Sequence, residues 1–137
     1  MVQVGVRDVD RAEVEALAAC DKVDVFFAES LAARRFEGCS WGDICREIVG
    51  NLPQKVYISF DVDALKIEFC NNTNAPTPGG MTFDEAVCLI NRVAESGREI
   101  VGFDLTEIVP VMESGVDAAV GARMLVKLCA AALCSKK

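Results

Sequence analysis

The sequence predicts an α/β protein, with a parallel sheet of about four strands and helices on both faces. Three observations predict it. Segments with period-two apolar alternation and segments with helical periodicity follow one another along all 137 residues. Two helices announce their starts with an acceptor side chain and a glutamate three residues on, Asp10 with Glu13 and Thr82 with Glu85. Three of the strands end on acids, at the edge where parallel sheets bind their ligands.

Val2-Gln3-Val4-Gly5-Val6 alternates and reads as the first strand. Asp10 then caps a short helix that carries Val14, Leu17 and Ala18 on one face. Val23 to Phe27 is the second strand. Ser40, with Asp43 three residues on, opens a helix through Ile44, Ile48 and Val49 that stops at Gly50. Lys55 to Phe60 is the third strand. An irregular stretch from Ala64 to Gly80 comes next, rich in Asn, Pro and Gly. The Thr82 helix places Phe83, Ala86, Val87, Ile90, Val93 and Ala94 at helical spacing, and Gly97 ends it. Glu99 to Leu105 is the fourth strand. The last helix, about Val116 to Leu133, is apolar nearly all round and is expected to be mostly buried. No linker or internal repeat divides the chain, so residues 1–137 read as one domain.

Composition narrows the function. Hydrophobic residues make up 52 % and charged residues 26 %, a globular balance. The net charge of −7 argues against nucleic acid, which calls for a basic face. No apolar run approaches the roughly 20 residues of a membrane span. The first residues lack a signal-peptide layout, so a cytoplasmic, intracellular protein is expected. Seven cysteines without a C-x-x-C pair, and no histidine, argue against a zinc site. Most of the cysteines, and Trp41, read as packing residues.

The acids carry the chemistry. Asp8 and Asp10 come after the first strand, Asp61 and Asp63 after the third, and Asp104 and Glu107 at the end of the fourth. Strand alternation puts Asp61 and Asp63 on one side. Two carboxylates that close repel unless a cation lies between them, and Mn²⁺ or Mg²⁺ suits oxygen donors. The spacing equally allows a turn-capping Asp61 beside a solvated Asp63. It also allows a receiver-like or flavodoxin-like binding domain, which likewise gathers acids at strand ends.

Three stretches taken together resemble the ureohydrolase superfamily of arginases and agmatinases. SFDVDALKIEFCNNTNAPTPGGMTFDEA, from Ser59, is similar to the family's S-F-D-[VI]-D-x-L-D-P, T-G-T-P and P-G-G run. Gly102 to Pro110 is similar to its G-x-D-[LI]-x-E-[VI]-x-P, and Val4 to Asp10 to its G-[LI]-R-D-V-D. The stretch from Ser40 to Gly102 most resembles the agmatinase-like branch.

The resemblance implies the second half of a three-layer α/β/α fold and hydrolysis of a guanidino compound, agmatine or arginine, to urea and an amine. It implies two Mn²⁺ ions in the complete site, with Asp61 and Asp63 among their ligands. Glu107 is implied as the catalytic carboxylate that receives the guanidinium. Asp10, Glu13 and Thr73 are implied on the substrate side, with Arg7 near them. The partners implied are a small cationic guanidino substrate and either further copies of the chain or a missing N-terminal half. The family's remaining ligands, two histidines and two aspartates, come from that other half. The loop also departs from the pattern. Lys66-Ile67 stands for D-P, Asn71 for Pro, and Thr73-Asn74-Ala75-Pro76 for T-G-T-P. The alternative implied by these departures is an inactive relative acting as a structural or regulatory subunit.

Overall fold

The structure is a computed structural model, and it describes residues 1–109 and 115–136. The chain divides into two compact units, Met1–Leu52 and Pro53–Lys137. Among the described residues four strands form, and every pairing is parallel, as two separate pairs.

In the first unit, β1 (Val2–Val6) pairs with β2 (Asp24–Phe27). The register shifts between Val4 and Val6, and Gly5 sits there with φ +80°, a conformation open to glycine at no cost. Helix α1 (Arg11–Ala18) lies between them and buries no residue fully. Helix α2 (Ala28–Phe36) continues from β2 without a break and buries Leu31. Sequence patterning does not announce α2, because its N-cap, Phe27, makes no side-chain cap bond and its apolar face is a single leucine wide. Helix α3 (Trp41–Gly50) starts as expected, with Ser40 Oγ accepting from the Asp43 amide at 3.1 Å. It buries Ile44, Cys45, Ile48 and Val49. Arg34 of α2 forks onto Glu47 of α3 at 3.3 and 2.5 Å.

In the second unit, β3 (Lys55–Asp61) pairs with β4 (Glu99–Thr106). Val56 and Phe60 of β3 are buried, while Lys55, Tyr57, Ser59 and Asp61 are exposed. Helices α4 (Phe83–Glu95) and α5 (Val116–Cys134) pack on each other and on β4. Tyr57 keeps 59 % of its surface exposed, so the Tyr57 face of this pair is uncovered among the described residues. Its ring lies across Gly102, where a Cβ would come within 2.9 Å of Cε2. Helix α4 begins with the full capping box between Thr82 and Glu85 and ends at Ser96, before Gly97 at φ +81°.

Two expectations need correction here. Helix α5 is not buried all round. Asp117, Gly121, Met124, Leu128 and Ala131 form its one inward stripe, whereas Val126 is 63 % and Leu133 71 % exposed. Its outward positions are apolar as well, which hid the stripe from any reading of periodicity. Nor are the cysteines mainly core. Cys45 and Cys70 are buried, Cys129 and Cys134 are exposed, and the other three are intermediate.

Candidate active site

Strand β3 stops at Asp61 because its carboxylate caps the next turn. Asp61 Oδ1 accepts the Asp63 amide at 2.8 Å and opens the 3₁₀ turn Val62–Ala64. The alternation expected to carry through Asp63 therefore ends at Asp61, and the two acids are related by a turn. Val62 between them is fully buried and anchors that turn.

The loop that begins there returns to its own start. Lys66 N–H donates to Met81 O at 2.8 Å and Met81 N–H to Ala64 O at 2.9 Å, a parallel bridge that closes the loop at its base. Gly80 makes this possible. It has φ +91°, and a Cβ there would lie 2.7 Å from Leu65 O.

Asp61 pairs with Thr106 across the strands, so Glu107 stands one residue beyond the end of the ladder. Glu107 has φ +62°, the left-handed region that residues other than glycine seldom enter. Asn74 reaches it from the loop, with Nδ2 donating to Glu107 Oε2 at 2.9 Å. Asp104 is occupied within the sheet. Ser59 Oγ donates to its Oδ1 at 2.7 Å, and a hydrogen bond to Asp104, with burial second, raises the Tyr57 phenol above its ordinary range.

A second tie was not visible in the sequence. Asp117, in the first turn of α5, is 1 % exposed. Its Oδ2 accepts both the backbone amide and Nδ2 of Asn72, each at 2.9 Å. Its Oδ1 has no hydrogen-bond partner. Cys70 is buried nearby, and burial first, then the Asp117 charge, pushes its thiol up to about 11. The Asp63 and Asp61 charges add to that rise. Thr73, next after Asn72, is 8 % exposed, and its hydroxyl is unpartnered. The available signal was a charged residue interrupting the apolar helix at Asp117.

The expected substrate-side residues of the first unit are engaged locally. Asp10 Oδ1 accepts the Glu13 amide at 2.8 Å, and Glu13 Oε2 accepts the Asp10 amide at 3.2 Å. Arg7 Nη1 donates to Gly5 O at 3.5 Å. Asp8, between Arg7 and Asp10 in sequence, has φ +58°.

Asp61 and Asp63 are the right donor type for a hard divalent ion. They fall short of a complete site. Among the described residues, no group of three or more His, Cys, Asp or Glu side chains is placed to hold a metal.

The sequence matches the Arginase family over residues 1–131. It is 31 % identical over 127 residues to an agmatinase of Escherichia coli (strain SE11), a match covering 90 % of this chain and 36 % of that protein. It is 34 % identical over 110 residues to an N(1)-aminopropylagmatine ureohydrolase of Thermus thermophilus, covering 80 % of this chain and 34 % of the relative. The fold is similar to proclavaminate amidino hydrolase from Streptomyces clavuligerus, with a TM-score of 0.79 at 26 % identity over 98 % of this chain and 44 % of that one. It is also similar to agmatine ureohydrolase of Thermoplasma volcanium, with a TM-score of 0.78 at 24 % identity over 98 % and 42 %. The chain thus spans about a third of the length of these curated relatives. With its three motifs in order, its parallel strands and its acids at their carboxyl ends, the chain belongs to the Arginase family.

Proposed function

We propose that this chain is the carboxylate-bearing part of an enzyme that hydrolyses a guanidino compound, agmatine or arginine, to urea and an amine. The observation that supports this best is the edge of the β3–β4 pair. Asp61, Asp63 and Glu107 all stand where two adjacent parallel strands end, with Asp61 in register with Thr106.

Glu107 would receive the guanidinium, whose planar fork matches a carboxylate. Its backbone conformation and its place at a strand end hold the carboxylate's root in position. Asp61 and Asp63 would supply oxygen ligands to a Mn²⁺ pair. Such ions, when bound, make water a competent nucleophile at neutral pH. The chain has no histidine, so further ligands would come from another segment or another chain. Thr73, with its unpartnered hydroxyl, would bind substrate from the loop. A histidine-bearing half or further copies of this chain are the partners in this reading. Its seven free cysteines support an intracellular setting. Among the described residues, no helix is long and apolar enough to cross a membrane.

One observation favours a second reading, an inactive relative with a structural or regulatory role. Glu107 already accepts a hydrogen bond from Asn74.

The test is Mn²⁺ calorimetry on the chain and on Asp61→Ala/Asp63→Ala, and then urea release with a histidine-bearing half supplied. Expected are Mn²⁺ binding that disappears in the double variant and urea from agmatine or arginine only in the complemented assembly. Unchanged Mn²⁺ binding in the double variant, or no urea from either guanidino compound, overturns the reading.

A further inference from the structure

We infer that Asn74 is a gate on Glu107 that sets the affinity of this site for a guanidinium relative to a simple ammonium. The inference rests on the proposed role of Glu107 as the guanidinium's partner.

A guanidinium binds a carboxylate best through two parallel N–H···O bonds, one to each oxygen. The Asn74 amide already holds Oε2 at 2.9 Å. An arriving guanidinium must share Oε2 with the amide, settle for Oε1 alone, or displace the amide, and each of these weakens the two-pronged fit. A primary ammonium is a point donor that needs only one oxygen, and it can take Oε1 without disturbing Asn74. The gate therefore penalises the two-pronged cation and spares the one-pronged one.

Asn74 is not free to drift away from this position. Two residues earlier, Asn72 is fastened by two hydrogen bonds to the buried Asp117 carboxylate. The far end of the loop is closed at Met81 against Ala64 and Lys66. Glu107, on the other side, is fixed at the end of β4. The contact is thus preorganised from both sides, with Asp117 and Asn72 as positioning residues. Displacement remains feasible, since a charge-assisted bond from a cation is stronger than one from a neutral amide.

The experiment uses the chain itself, with methylguanidinium and methylammonium as probes. NMR titrations give their dissociation constants for wild type, Asn74→Ala and Glu107→Gln, with the Asn74 side-chain amide resonances tracked in wild type. Asn74 is exposed, so the alanine variant leaves the fold in place. Asn74→Ala should tighten methylguanidinium about fivefold, the worth of one hydrogen bond of roughly average strength, and change methylammonium less than about twofold. The Asn74 amide should shift on saturation with methylguanidinium and stay in place with methylammonium. If Glu107→Gln weakens methylguanidinium but Asn74→Ala tightens neither probe, or both equally, the gate is overturned and the role of Glu107 stands. If Glu107→Gln leaves methylguanidinium binding unchanged, the role of Glu107 fails and the gate falls with it.

Discussion

In the turn after β1, Asp10 and Glu13 hold each other's amides across three residues. At the end of β4, Glu107 is met by Asn74 from 33 residues away, and Asn72 in the same loop is held by Asp117 from 45 residues away. Both regions carry acids named by the family resemblance, yet they are organised on different scales. The first is complete within one helical turn. The second exists only once a strand, a loop and a helix have packed. Acids that cap their own helix have their carboxylates engaged in structure. Acids brought together over long separations define a place where a ligand can be received.

Breaking the long-range tie should have the largest effect. Asp117→Ala removes the acceptor of two Asn72 donors in a buried setting and should lower stability by about 2 kcal/mol. Asp117→Asn keeps one oxygen for the same two donors but puts a buried N–H2 where the replaced oxygen had no partner. It should cost less than Asp117→Ala. Urea denaturation of both variants measures this, and equal losses would show that the charge, rather than the acceptor, holds the loop.

The comparison sharpens with the two capping boxes. Thr82→Ala and Asp10→Ala remove the same kind of bond, each worth about 1 kcal/mol. Helix α4 buries Ala86, Ile90 and Val93 against its unit, whereas α1 buries nothing fully. Thr82→Ala should therefore move the denaturation midpoint by that full amount. Asp10→Ala should instead show as faster amide exchange confined to residues 11–18, with the midpoint little changed.

The last expected effect is confined to alkaline pH. The folded chain raises the Cys70 thiol from 9.0 to about 11. Between these values the folded chain keeps a proton that the unfolded chain has lost. This contribution to stability is whole below pH 9 and is lost as the pH rises to about 11. Cys70→Ala should flatten the fall of stability across that window. An unchanged slope would mean that the thiol does not feel the buried loop and its acids.

The parts legible in advance share a physical feature. The caps at Asp10, Ser40 and Thr82, the Gly97 stop and the strands through Val4 and Val56 all depend on neighbours within a turn or a pleat. Asp61, Asp63 and Glu107 were legible as acids at strand ends, and their placement on one edge came from parallel pairing. Helix α2 was not legible, lacking a cap bond and an apolar stripe. The one-sided burial of α5 was masked by an outer face as apolar as the inner one.

The sequence by itself determined the alternation of strand and helix, the helix starts and the acids at the strand ends, because short-range sterics and hydrogen bonds decide those features. Tertiary structure alone decided that Gly80 closes the loop against Leu65 and that Asn72 and Asn74 find Asp117 and Glu107. Each of these partners lacks any local preference for the other. Folding must first bring distant backbone together, and only then do a buried carboxylate and an amide in need of partners select each other.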